Sequence, residues 1–124
     1  MTQSIRDFER SFVTGSVSLA TKQYYLVKQH TDGTLIIAAA ATDKIVGVLQ
    51  NKPAVGAAAL VRFLGTTKVV AGGVIGVGAW VTSDANGAAV ATTTGGDVVI
   101  GKFLGTASAA AGDIIEVQLS QFVL

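Results

Sequence analysis

The sequence predicts an all-β fold: a compact barrel or sandwich with an internal pseudo-repeat, preceded by an extended N-terminal arm. Three observations point there. Short β-branched runs are punctuated by Gly, Asn and Asp from about residue 24 onward, which is the pattern of strands and turns. Helical spacing of apolar residues is nearly absent after residue 15. Finally, two stretches of the chain lie over one another, with two glycines of each in matching positions.

In chain order, residues 1–22 stand apart. Ile5, Phe8 and Phe12 recur at three- and four-residue spacing, and Arg6, Asp7, Glu9 and Arg10 crowd four charges between them. One or two turns of amphipathic helix fit this spacing, although a helix so short is not stable alone in water. The segment reads either as a terminus packed on its own domain or as an arm that orders on a partner. Residues 23–124 read as a single β domain. Strands are expected at Tyr24–Gln29, Thr34–Ala38, Ile45–Leu49, Ala58–Phe63 and Lys68–Val70. The series continues with Ala79–Thr82, Ala88–Ala91, Val98–Leu104 and Ile114–Leu119. Asp32-Gly33 and Asn86-Gly87 tolerate the positive φ angles of tight turns and so mark two hairpins. Pro53 falls between strands, where its missing N–H is harmless.

The repeat sets "IVGVLQNKPAVGAAALVRF" (Ile45–Phe63) over "VIGKFLGTASAAAGDIIEVQL" (Val99–Leu119). Gly47 matches Gly101, Gly56 matches Gly112 after a two-residue insertion, and "ALVRF" corresponds to "IEVQL". Two copies are too few for a solenoid, so a pseudo-repeat within one compact domain is the better fit.

Composition narrows the function. The chain has 124 residues, a net charge of +1, 14% charged residues and no cysteine. Its length suits one domain. Disulfides and thiolate metal sites are excluded, and the lack of a basic stripe argues against nucleic acid. The longest apolar run, Val69–Val81, has 13 residues and four glycines, short of the roughly 20 that a membrane-spanning helix needs. The N-terminus lacks the apolar core of a signal peptide. A surface so poor in charge reads either as one buried in part against another subunit or partner, or as that of a small Ala-rich β monomer.

Catalytic patterns fail one by one. Gly96, then Gly101-Lys102, opens like a phosphate-binding loop, but Phe103 stands where a Mg²⁺-binding hydroxyl is required. The stretch is also β-branched rather than a loop opening a helix. Gly101 is expected to mark a bulge or a close backbone approach instead. "AGGVIGVGAW" lacks the third glycine of a dinucleotide loop, since Val81 stands there. His30 has no second histidine or cysteine to join it, so neither a metal site nor a triad is expected. Asp32, Asp43, Asp84, Asp97 and Asp113 sit at turns or strand ends, where aspartate bonds nearby amides. Glu116 alternates with Ile115 and Val117 and should face outward. Trp80 and Tyr24-Tyr25 read as packing residues or as a ligand platform. No catalytic residue, cofactor or metal is assigned.

The ordered segments Val46–Val61, Ala71–Val90 and Gly101–Leu119, with "YYLVKQHTDGTL" before them, resemble the small capsid cement, or decoration, proteins of tailed bacteriophages. The resemblance spans about Tyr24 to Leu119. It implies a β-tulip-like domain that forms trimers on the outer surface of the virion head and reinforces the lattice of the major capsid protein. Such proteins are not enzymes, and an N-terminal arm frequently lies on the shell. By that implication Ile5, Phe8 and Phe12 supply apolar anchors, while Arg6, Asp7, Glu9 and Arg10 set register. Cement proteins often have more acidic turns than this nearly neutral chain. The alternatives are another virion subunit, such as a spike or fibre, and a carbohydrate- or peptide-binding module using Trp80 or the tyrosines.

Overall fold

The computed structural model describes residues 9–124, and every helix or strand assigned among them is a β-strand. Ten strands follow in order: β1 (Glu9–Val13), β2 (Leu26–Gln29), β3 (Leu35–Ile37), β4 (Ile45–Leu49), β5 (Ala58–Arg62), β6 (Thr66–Val70), β7 (Trp80–Ser83), β8 (Ala89–Ala91), β9 (Val98–Phe103) and β10 (Ile114–Val123). They make two five-stranded antiparallel sheets, ordered β1-β5-β4-β2-β3 and β6-β10-β9-β7-β8. The second order is the first advanced by five. The domain is all-β as expected, but it is two rolled sheets rather than one closed barrel.

Register repeats along with topology. Leu26 and Val27 stand opposite Val48 and Gly47, as Trp80 and Val81 stand opposite Lys102 and Gly101. Glu9 opposes Arg62 as Thr66 opposes Gln118. A single parallel bridge, Thr14 to Leu35, brings the ends of the first sheet together, and Ala71 to Ala89 does so in the second. The pseudo-repeat read from Ile45–Phe63 and Val99–Leu119 is therefore the visible part of a duplication covering both halves of the domain.

Each half holds an equivalent set of core residues. Strand alternation sends Val27 to one face and Leu26 to the other. Val27, Leu35, Leu49, Ala59 and Val61 gather around Leu19, with Phe12 packed against them. Their counterparts Val81, Ala89, Phe103, Ile115 and Val117 gather around Ile75. Leu26, Ala38, Ile45 and Val48, on the opposite face of the first sheet, join this second cluster and fuse the halves.

Both expected hairpins form. Gly33 and Gly87 turn at φ of 87° and 76° between β2 and β3 and between β7 and β8. The matched glycines serve a close approach. A Cβ on Gly47 would lie 2.4 Å from the Arg62 carbonyl oxygen, and one on Gly101 would lie 2.1 Å from that of Gln118. The duplication also accounts for a strained residue. Tyr24, at φ 70°, stands where the second half has Gly78, at φ 78°. The two amides donate equivalently, to the carbonyls of Leu49 and Phe103. Holding tyrosine there costs about 1–2 kcal/mol that glycine avoids.

Candidate interaction surfaces

Of the residues singled out for partner contact, Ile5, Arg6, Asp7 and Phe8 lie outside the described residues. Glu9, Arg10 and Phe12 lie on β1, so within the described span the helical spacing gives way to an edge strand paired with β5. The Glu9 carboxylate accepts two hydrogen bonds from the Arg62 guanidinium, at 2.7 and 2.9 Å. Both side chains are about a third exposed, and such a pair contributes less than about 1 kcal/mol. Phe12, half-buried on the first core, and the strand ladder hold β1 in place. The Arg10 guanidinium carbon stands 5.3 Å from the centre of the Phe12 ring. Residues 14–22 follow the domain surface, and Leu19 plugs the first core with its N–H donated to the Pro53 carbonyl.

The five aspartates among the described residues are dispersed into turns and strand ends, as their positions predict. Asp84 accepts the amides of Asn86 and Ala88, and Asp113 accepts that of Ala110. Asp97 accepts the Thr92 hydroxyl. The Thr34 hydroxyl and then the Thr34 amide hold Asp32 below the ordinary carboxylate range. For Asp43, the amide of Ala39 comes first and the Lys28 ammonium next, and they too depress its pKa. Lys28 Nζ lies 2.9 Å from the Asp43 carboxylate. No group of three or more His, Asp or Glu side chains suited to a metal ion occurs among the described residues.

Asp43 yields a stability prediction. Its charged form receives hydrogen bonds from Ala39, Ala40 and Lys28, and its side chain is only 19% exposed. Asp43→Ala should therefore cost about 1.5–3 kcal/mol. A depressed folded pKa stabilises above the unfolded value, which is near 3.8. That contribution fades as pH falls through the lower folded value. Thermal melts of the two proteins should thus differ at pH 7 and converge as the pH drops below about 4. A constant gap down to pH 2 would contradict the assignment.

Among the described residues, large exposed apolar side chains are more numerous in the second half than in the first. At the second half's loop end, Val77 and Leu104 are 58% and 42% exposed. Their first-half counterparts are Gln23 and Gln50, whose amides are hydrogen-bonded to the Gln50 carbonyl and the Thr67 hydroxyl. Val74 and Ile114 are exposed as well. Trp80 lies on the face of β7 opposite Val81, its ring centre 5.0 Å from that of Phe122 in an edge-on pair. Lys102 Nζ stands 6.0 Å from the same indole. His30 is exposed at its turn. Sequence reading found Trp80 but not Val77 or Leu104, because each is apolar in an apolar run. Only comparison with the glutamines of the first half marks them.

The turn aspartates are each bonded within or beside their own turn, and the described residues form a doubled β scaffold that carries exposed apolar side chains. The chain belongs to the phage cement protein family, which matches residues 13–119, and with it to the structural proteins of phages. Among solved structures it is similar to the N base of the head fiber protein gp8.5 of bacteriophage phi29. The TM-score is 0.69 at 24% identity, over 94% of this chain and 98% of that one. Comparison with curated protein sequences finds no match.

Proposed function

We propose that this chain binds the outside of a phage capsid as a trimer and cements the lattice of its major capsid protein, without catalysis. The observation that carries the reading is the match to the cement family across both halves of the duplicated domain. Low charge and exposed apolar side chains on a rigid β scaffold support it. Residues 1–8, with Arg10 beside them, act as the capsid-contacting arm. In that arm Ile5 and Phe8 are the apolar anchors, and Arg6, Asp7 and Arg10 set register through peripheral charge. Glu9 and Phe12 orient it through Arg62 and the first core.

Three arms on one trimer bind with a high effective concentration, so losing all three compounds the loss of each. Deletion of residues 1–8 leaves β1 intact. It should give a folded protein whose affinity for isolated shells, read by co-sedimentation, falls about 100-fold or more. If the truncated chain still saturates shells at the same concentration, the arm assignment is wrong. If the full chain does not bind, the cementing role itself is wrong.

The fold likeness to a head-fiber base favours one second reading, in which this domain seats a projecting fibre on the capsid. Electron microscopy of decorated shells separates the two, since a cement protein lies flat whereas a fibre base carries a spike.

A further inference from the structure

The two halves meet through a junction whose two surfaces the duplication copies, one in each half, with the copy around Trp80 partly covered by the chain's own Phe122. Inside the chain, one face of the first half receives the second. The Tyr24 carbonyl accepts the Val70 amide at 3.0 Å, and the Leu26 amide donates to the Gly87 carbonyl at 2.7 Å. The Ala41 carbonyl accepts the Val98 amide at 2.7 Å. The Gln50 side chain donates to the Thr67 hydroxyl at 2.8 Å, and Leu26 and Val48 are wholly buried. The second half contributes the outer edge of β6 and the tip of the β7–β8 hairpin. A Cβ on Gly87 would strike Ile37, which shows how closely that tip is seated.

Both surfaces exist a second time. The counterparts of Tyr24, Leu26, Val48 and Gln50 are Gly78, Trp80, Lys102 and Leu104. There the second half shows a Trp80 that is 37% exposed, a Leu104 that is 42% exposed and, next to Gly78, a Val77 that is 58% exposed. The counterparts of Val70, Thr67 and Gly87 are Val13, Arg10 and Gly33. Val13 is 58% exposed on edge strand β1, and nothing lies within 4 Å of a Cβ built on Gly33. An open strand edge is a template for pairing with another chain, and an exposed indole with apolar neighbours is the composition of an interface centre.

We propose that copies of this chain associate head to tail, the Trp80–Leu104 face of one receiving the β1 edge and Asp32-Gly33 hairpin of the next. The contact reproduces the internal junction. The Val13 amide of one copy donates to the Gly78 carbonyl of its neighbour, as Val70 does to Tyr24, and Arg10 meets Leu104, as Thr67 meets Gln50. Such a heterologous contact closes into a ring or runs on as a filament, depending on the rotation per step. It stands independently of capsid binding and names the surface on which a trimer would be built.

The chain has no cysteine, so an engineered pair reports alone. In the double variant Arg10→Cys, Leu104→Cys, oxidation should give covalent oligomers of the native mass, whereas each single variant should give dimers at most. Leu104→Glu should weaken association at least tenfold by light scattering. Val74→Glu, on an exposed residue outside the copied junction, should leave it unchanged. A wild-type protein that stays monomeric at high concentration would overturn the proposal. So would an oligomer that ignores Leu104→Glu and fails to cross-link, although the capsid reading would survive that result. A wild-type protein that associates in this way but does not bind shells would overturn the capsid reading alone.

Discussion

Gly101→Ala is expected to lower stability by about 3 kcal/mol or more, the upper end of what overpacking costs. Gly101 is buried in β9, between β7 and β10. Its added methyl would lie 2.1 Å from the Gln118 carbonyl oxygen and 2.8 Å from Val117 Cγ1. The first obstacle is backbone in a paired strand, which cannot rotate aside as a side chain can. Relief requires β9 and β10 to separate, and both carry the second core through Phe103 and Val117. Gly112 provides the contrast. It turns at φ 88° with nothing within 4 Å of an added methyl, so Gly112→Ala should cost only the backbone penalty, about 1–2 kcal/mol. Urea unfolding of the two variants checks the order. Equal losses would mean that the approach of β9 to β10 is looser than the structure has it.

Leu19→Ala should cost about 3–5 kcal/mol, within the range for emptying a fully buried leucine site. Leu19 is 0% exposed and is ringed by Val27, Leu35, Leu49, Ala59 and Val61. Those residues are fixed on four strands of one sheet, so little can collapse into the space left behind. At roughly 3–5 °C per kcal/mol for a domain of this size, the melting temperature should drop by more than about 10 °C. Val17→Ala, two residues earlier and exposed, should change it by no more than about 0.5 kcal/mol. A small effect for Leu19→Ala would show that residues 14–22 are detachable from the domain. The structure instead makes Leu19 the counterpart of Ile75, a core residue of the second half.

The strands legible in the sequence were those bounded by strong local signals. Ile45–Leu49 carries β-branched residues between polar ends, and the Asp-Gly and Asn-Gly turns locate β2, β3, β7 and β8 directly. β1 was not legible as a strand. "ERSFV" is short and polar, Phe12 falls in helical register with Phe8 and Ile5, and its pairing partner β5 lies some fifty residues away. β10 runs on to Val123 past a register shift between Leu119 and Phe122, and a bulge of this kind interrupts the alternation by which strands are recognised. The duplication was readable where its glycines are fixed by sterics, at Gly47 with Gly101 and at Gly56 with Gly112, and in the alternation shared by "ALVRF" and "IEVQL". Elsewhere the two cores have traded volumes. Leu49 became Phe103 and Ala59 became Ile115, while Leu35 became Ala89. Such exchanges preserve packing and erase sequence identity.

The interaction surfaces were legible in part. Trp80 drew notice as a lone aromatic, but its partner Phe122 belongs to a C-terminal continuation that has no counterpart in the first half. Val77 and Leu104 became visible only once Gln23 and Gln50 were known to occupy the same structural positions. Chemistry was easier to read, because the turn aspartates carry their own local signature and all five found the bonding partners that such positions supply.

Saturation binding of the purified full-length chain to isolated capsid shells, measured by co-sedimentation and followed by heating of the decorated shells, tests the central claim most directly. Cementing predicts a fixed number of copies per shell at saturation and a higher temperature of shell disruption. A chain that stays in the supernatant with every shell offered, or that decorates without raising that temperature, would contradict it.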